Sequence, residues 1–181
     1  LGTFPTVSGN SASGSGIAGI WMPSGSIDGT KQWNLPGANF PYYLTGGGDL
    51  SISENSRLTI DPGVSVKMGV TRIMVYGTLS APGTAAMPIS IASAQSTPAP
   101  GDWPGIYFGG NAGASALSYV TLAHAGRSSM VYVHSEYRST AIYLDTCSPT
   151  FDHCTISQSG FNGLEMFGST ASFANGVIQN C

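Results

Sequence analysis

The sequence predicts an all-β protein, a right-handed parallel β-helix of about five coils with three strand rows. Two observations support this fold class. Charged residues make up only 8% of the 181-residue chain, which also contains 25 glycines. From Tyr42 onward, very short triplets with apolar residues two positions apart alternate with Gly, Pro, Ser and Asn, and these triplets recur in groups of three. Spacing of two is the strand period, and repeated units of this size are typical of solenoids.

The low charge argues against surface helices, which normally carry Lys, Glu and Arg on their outer face. The chain has six Lys plus Arg and nine Asp plus Glu, so its polar surface must come from Ser, Thr, Asn and Gly, which suit strands and turns. The net charge is −3 with no basic run. We therefore expect no nucleic-acid partner. No apolar stretch is long enough for a transmembrane segment.

Two regions are predicted from the change in pattern near Tyr42. Residues 1–41 begin with a Gly/Ser-rich run over 8–16 that is typical of a linker. The more apolar part that follows is interpreted as an irregular cap or an assembly arm. Residues 42–181 form the β-helix. Its coil pattern runs up to Cys181 without a polar cap, as expected if the helix continues beyond the chain or is covered by another subunit.

The repeat arithmetic assigns strands to rows. Ile142, Phe151 and Ile156 each recur 22 residues later, as Leu164, Phe173 and Ile178. The first row is expected to end at Ile52, Val75, Phe108, Leu144 and Met166. The third row is expected to end at Val66, Ile91, Leu122, Ile156 and Ile178. Two longer coils are explained by insertions at 94–103 and 127–140.

The run LTIDPGVSVKMG over residues 58–69 resembles the LTI-x-PGV-x-VKFG opening of bacterial secreted right-handed parallel β-helix repeat proteins. Later pieces at 75–84, 88–91 and 101–106 follow in the order of that family, and Met68 replaces its usual aromatic residue. The resemblance covers 42–126 well, 127–181 as generic coils, and 1–41 not at all. It implies the fold and an extracellular or cell-surface location in a bacterium. For function it implies only a range, from adhesins and surface-layer-like proteins to the scaffolds of polysaccharide-degrading enzymes.

A catalytic site is the weaker interpretation of the acidic residues. Enzymes of this architecture gather several carboxylates on one strand face, where they bind calcium or act as acid and base. The candidates here are Asp145, Glu165, Asp152 and His153. The coil alignment sets Asp145 over Phe167 and Glu165 over Tyr143, so these acids do not stack, and Asp152 and His153 fall at a corner. We therefore predict no catalytic residues, no metal site and no cofactor.

The outward-facing positions of the first row form the predicted binding surface. They are Met74, Tyr107, Tyr143 and Glu165. Tyrosines in line can stack sugar rings or pack against another protein. Equally, the insertion at 127–140, which is rich in apolar and aromatic residues (Val131, Tyr132, Val133 and Tyr137), can fold over this face and bury it. The outward positions of the other rows are hydroxyl ladders, with Ser65, Ser90, Thr121 and Thr155 in row three and Thr59, Ser80 and Ser118 in row two.

The three cysteines, Cys147, Cys154 and Cys181, contain no CxxC pair. They are either small buried side chains or disulfide candidates, with Cys147–Cys154 possible in an oxidising compartment. The function predicted first is a non-enzymatic extracellular structural or adhesive module, self-assembling into a filament or surface layer, whose partner is a second copy or another surface protein. The alternative is a carbohydrate-active enzyme, of the polysaccharide lyase or glycoside hydrolase type, or a carbohydrate-binding module.

Overall fold

Short strands follow one another around three parallel sheets, and each strand pairs with the equivalent strand one coil later. A computed structural model describes residues 6–11, 18–37 and 40–181. It contains no α-helix in these ranges, and a single 3₁₀ turn spans Ala112–Ala114. The predicted right-handed parallel β-helix is confirmed.

Sheet A corresponds to the third row of the sequence pattern. Its register pairs Val66, Ile91, Leu122, Ile156 and Ile178 in that order, as expected. Among the described residues its seven strands are β1 (Ile20–Trp21), β4 (Tyr42–Leu44), β7 (Ser65–Met68), β10 (Ile89–Ser93), β13 (Val120–Ala123), β18 (Thr155–Ser157) and β21 (Val177–Gln179).

Sheet B corresponds to the first row. Its register pairs Ile52, Val75, Phe108, Leu144 and Met166, again as expected. The described part of the chain contributes six strands, β2 (Gly25–Ile27), β5 (Asp49–Ile52), β8 (Arg72–Val75), β11 (Ile106–Gly109), β16 (Thr140–Asp145) and β19 (Asn162–Phe167).

Sheet C corresponds to the second row. Its six strands in the described ranges are β3 (Thr30–Trp33), β6 (Arg57–Ile60), β9 (Thr78–Pro82), β12 (Ala116–Ser118), β17 (Thr150–Asp152) and β20 (Ser172–Ala174). Thr59 pairs with Ser80 as expected, but Ser118 pairs with Pro82. The difference arises because β9 is five residues long and β12 pairs with its second half. The row-three ladder from Ser65 to Thr155 is formed as predicted.

The β-helix begins earlier than the expected boundary at residue 42. Strands β1, β2 and β3 already pair with β4, β5 and β6. Ile27 and Trp33 are fully buried, so most of what was expected to be an irregular cap is a regular coil. The reason is physical: β2 and β3 each contribute one buried apolar side chain, Ile27 and Trp33, so neither shows the paired apolar residues that mark the later strands. Residues 12–16 of the expected linker lie outside the described residues.

The core is a narrow column of inward side chains between the three sheets. Aromatic rings from successive coils contact one another within it: Phe108 and Phe151 meet edge to face with ring centroids 6.0 Å apart, and Phe151 and Phe173 are tilted with centroids 5.9 Å apart. Trp103, from the first insertion, is fully buried and donates its indole N–H to the carbonyl of Ala123 at 2.9 Å. The insertions therefore leave the coil stacking unbroken.

The corners between sheets require left-handed backbone conformations. Positive φ recurs at equivalent places in the last coils, with Gly110, Thr146 and Gly168 after sheet B, Tyr119, His153 and Asn175 after sheet C, and His124, Gln158 and Asn180 after sheet A. Two of the three histidines of the chain, His124 and His153, are therefore corner residues. Glycine is the residue that adopts this conformation without strain.

Thr146 is the most strained of these corner residues, since it is β-branched and has a φ of 54°. We expect Thr146→Gly to raise the free energy of unfolding by about 0.5–1 kcal/mol, because relief of left-handed strain exceeds the added entropy of the unfolded chain. Urea denaturation measures the change. The matched control is Thr155→Gly in strand β18, which should destabilise by about 1 kcal/mol. Destabilisation by Thr146→Gly would show that this corner is not strained.

Candidate functional site

The predicted binding residues do lie in one line on the outer face of sheet B. Met74 pairs with Tyr107, Tyr107 with Tyr143, and Tyr143 with Glu165. The rings of Tyr107 and Tyr143 are stacked, with centroids 6.1 Å apart and planes inclined by 7°. The sequence therefore located this row correctly.

A hairpin from the second insertion covers the row. Strands β14 (Val131–Val133) and β15 (Glu136–Arg138) pair antiparallel as a small separate sheet. Met130 and Val131 pack with Met74, Tyr107 and Tyr143 in a second apolar cluster outside the main core. Tyr107 is 7% exposed and Tyr143 1% exposed. Of the two interpretations of this face, the structure has the insertion folded over it; ligand binding by these four residues stays a prediction.

The hairpin turns at His134 and Ser135, which both have positive φ, 50° and 66°. A two-residue turn with two positive φ angles matches the twist of the flanking strands. Such turns usually carry Asn-Gly or Asp-Gly, so His134-Ser135 is a weak turn signal. The available signal was the alternation around it: Val131 faces inward and Tyr132 outward, and Tyr137 lies opposite Tyr132.

Asp145 links the sheet to the hairpin tip. One carboxylate oxygen accepts a hydrogen bond from the Tyr107 hydroxyl at 2.9 Å, and the other lies 2.9 Å from Nε2 of His134. The His134 ring also stacks on Phe167 at 3.9 Å. Burial, followed by the hydrogen bond to Asp145, raises the pKa of Tyr107 well above its ordinary value. Tyr107 therefore stays a hydrogen-bond donor at physiological pH.

Arg138 links the other end of the hairpin to the same sheet. Its guanidinium lies 3.0 Å from Glu165 and 3.0 Å from Glu136, and it sits 5.9 Å from the centre of the Tyr143 ring. Burial raises the pKa of Tyr143, and the charge of Arg138 acts in the opposite direction. Glu165, proposed from the sequence as a binding or catalytic residue, is thus half of an ion pair that holds the hairpin down.

Arg72 anchors the approach to the hairpin. It makes two hydrogen bonds to Asp49, at 3.0 and 2.7 Å, and donates a third to the carbonyl of Met130. This bridge spans the boundary between the β-helix and the inserted segment. A side cavity of about 260 Å³ opens beside it and is also lined by Arg127.

The four residues considered as catalytic candidates from the sequence do not come together in one site. Asp145 pairs in register with Phe167, and Glu165 with Tyr143, as the coil alignment predicted. Asp152 and His153 lie at the corner after sheet C, where they are 2.9 Å apart. Hydrogen bonds from Asn175 and His153 lower the pKa of Asp152. The His153 ring stacks on Tyr119 at 4.5 Å, so this corner is a structural stack of side chains.

The three cysteines are free thiols, and the Cys147–Cys154 disulfide that the sequence allowed is not formed. Cys147 and Cys154 are buried and Cys181 is exposed. Burial raises the pKa of both buried thiols. Among the described residues no group of three or more His, Cys, Asp or Glu is arranged to hold a metal ion. The described part of the chain likewise contains no helix long and apolar enough to cross a membrane.

Residues 34–136 match the family of pectate-lyase-like β-helix domains. The chain belongs to this family. The resemblance noted at 58–69 is thereby confirmed at the level of the fold family, and the match connects this β-helix with carbohydrate-related proteins. It ends within the hairpin of the second insertion, so Asp145, Glu165 and Phe167 lie beyond it. No curated protein and no solved structure matches the chain significantly.

The hairpin of this β-helix domain should open when its inner face is made polar. Val131→Asn buries an amide among Met74, Tyr107 and Tyr143 without a partner, at a cost of about 1–3 kcal/mol. We expect trypsin to cut after Arg138 at least about tenfold faster, because local opening controls cleavage of a folded segment.

The control is Tyr132→Asn, one position along the same strand and on the exposed face. It should leave the cleavage rate within about twofold of the parent chain. Equal acceleration by both variants would mean that the inner contacts do not hold the hairpin in place.

Proposed function

We propose that this domain is a non-enzymatic extracellular adhesive module that binds polysaccharide without cutting it. The observation that carries the proposal is that the outer face of sheet B is covered and its side chains are engaged within the domain. Its tyrosines lie beneath a hairpin, and the carboxylates beside them are engaged, Asp145 by Tyr107 and His134 and Glu165 by Arg138. Side chains tied in this way hold a surface in shape. The family match supports a carbohydrate ligand.

A second candidate, carbohydrate-active catalysis, is favoured by one specific contact. Asp145 orients the partly exposed ring of His134, and a carboxylate that orients a histidine is a common arrangement for a general base. In this alternative His134 would take a proton from a substrate, and Asp145 would stabilise the charged ring. The same contact in an adhesive module serves to fix the hairpin tip.

One assay separates the two functions. The chain is incubated with neutral and acidic polysaccharides, with and without calcium. Bound polymer is measured by affinity electrophoresis, and new chain ends by reducing-sugar release and by absorbance of unsaturated ends. We expect binding to at least one polymer and no new ends. Depolymerisation that is lost in His134→Ala and kept in His124→Ala, a control at a corner after sheet A, would establish the enzyme instead.

Self-association through the last coil is a separate proposal. Among the described strands, β19, β20 and β21 each pair with a single neighbour, and Met166 and Ile178 are 53% and 45% exposed, whereas the equivalent Leu144 and Ile156 are buried. Unpaired edges with apolar side chains favour strand addition by a second copy. We expect sedimentation velocity to show concentration-dependent association that Ile178→Asp abolishes and Val70→Asp, at an exposed corner site, leaves unchanged. A monomer at every concentration would contradict it.

A further inference from the structure

Two tyrosines stand on the outer face of the hairpin. Tyr132 on β14 and Tyr137 on β15 are direct cross-strand partners, 60% and 68% exposed. Their ring centroids are 4.9 Å apart and their planes are inclined by 58°. Together they form one continuous aromatic surface, which we call the tyrosine pair. Neither ring contributes to either apolar cluster of the domain.

We propose that the tyrosine pair is a stacking site for a neutral sugar chain, an inference that rests on the proposed polysaccharide-binding function and names the surface and the ligand class. Aromatic rings present an apolar face to the C–H groups of a pyranose ring, and the phenol hydroxyls donate and accept hydrogen bonds with sugar hydroxyls. Tyrosine has only two side-chain torsions, so little entropy is lost when it binds.

The scaffold beneath the pair is held in place at several points. Val131 and Met130 are buried on the inner face. Arg138 forms an ion pair with Glu165, and His134 is hydrogen-bonded to Asp145. These contacts fix the hairpin on sheet B before any ligand arrives. A site that is already ordered avoids the cost of ordering its loops on binding, which is how a small surface reaches useful affinity.

The charges around the pair favour a neutral ligand over an acidic one. Glu136, Asp145 and Glu165 are acidic, and Arg138 is the basic side chain that pairs with Glu136 and Glu165, so the hairpin and the sheet beneath it carry more acidic than basic side chains. Glu136 is the most exposed of these side chains and lies next to Tyr137. A polyanion would be repelled here, and the net charge of the whole chain, −3, adds to the repulsion.

The test compares four proteins on neutral and acidic polymers. They are the parent chain, the double variant Tyr132→Ala with Tyr137→Ala, the double variant Tyr132→Phe with Tyr137→Phe, and Trp21→Ala. Trp21 is an exposed aromatic residue on β1 in sheet A and serves as the matched control. The probes are soluble neutral glucan, galactan and mannan, with polygalacturonate as the acidic polymer. Circular dichroism confirms the fold of each variant, and isothermal titration gives the affinity.

We expect the parent chain to bind at least one neutral polymer, and the double alanine variant to bind it at least about tenfold more weakly, which is about 1.4 kcal/mol. The double phenylalanine variant should stay within about threefold, since it keeps the rings, and Trp21→Ala should match the parent. Polygalacturonate should bind more weakly than the neutral polymer, and added salt should narrow that gap.

Three results would overturn the inference in distinguishable ways. Equal neutral-polymer binding by the parent and the double alanine variant would place the sugar site elsewhere and leave the proposed function standing. Binding of none of the polymers by the parent chain would remove the proposed function as well. Concentration-dependent association in sedimentation that the double alanine variant abolishes, without any sugar-dependent change, would make the tyrosine pair a self-association surface.

Discussion

The parallel β-helix depends on one geometric constraint: each inward side chain must lie directly over its equivalent one coil earlier, in three sheets at once. A one-residue slip would turn every inward side chain of that strand outward. The paired registers of sheets A and B therefore keep residues such as Leu122 and Ile156 in line even though the intervening coils differ in length. Extra residues can be accommodated only at corners, which is where both insertions lie.

The hairpin follows from that constraint. The second insertion leaves the helix after β13 and returns before β16, so it emerges at the corner between sheets A and B. It folds back over sheet B because that face carries Met74, Tyr107 and Tyr143, whose apolar surface would otherwise be exposed to water. Six of the fifteen charged residues of the chain then act at this contact: Asp49, Arg72, Glu136, Arg138, Asp145 and Glu165. Charges that are scarce elsewhere are concentrated where an inserted segment must be held to a sheet.

The sequence predicted the features that depend on repetition. The equivalents of Ile142, Phe151 and Ile156 could be found 22 residues later because the core imposes the same inward positions on each coil. It did not predict the first coil, because β2 and β3 each bring only one buried apolar side chain and so lack the apolar pair that marks the later strands. It placed Tyr107 and Tyr143 in line but could not decide what covers them, since packing of the insertion depends on contacts such as Arg138 with Glu165 that lie far apart in sequence. The sequence groups Tyr132 and Tyr137 with the residues that cover this face, but both face outward; their direction is set by a hairpin whose turn, His134-Ser135, is not a usual turn sequence.

The family match covers only part of the candidate site, and this bears on function. The match ends at residue 136, so it includes Tyr132 but not Tyr137, Asp145 or Glu165. The match therefore covers the coils from β4 to β13 and the first strand of the hairpin, whereas the hairpin surface is completed by residues beyond it. The family match shows the fold, whereas the acidic side chains of the hairpin and of the sheet beneath it disfavour a polyanion. Because local charge acts on a ligand directly and fold resemblance does not, the side chains at the hairpin are the better guide to the ligand that we propose.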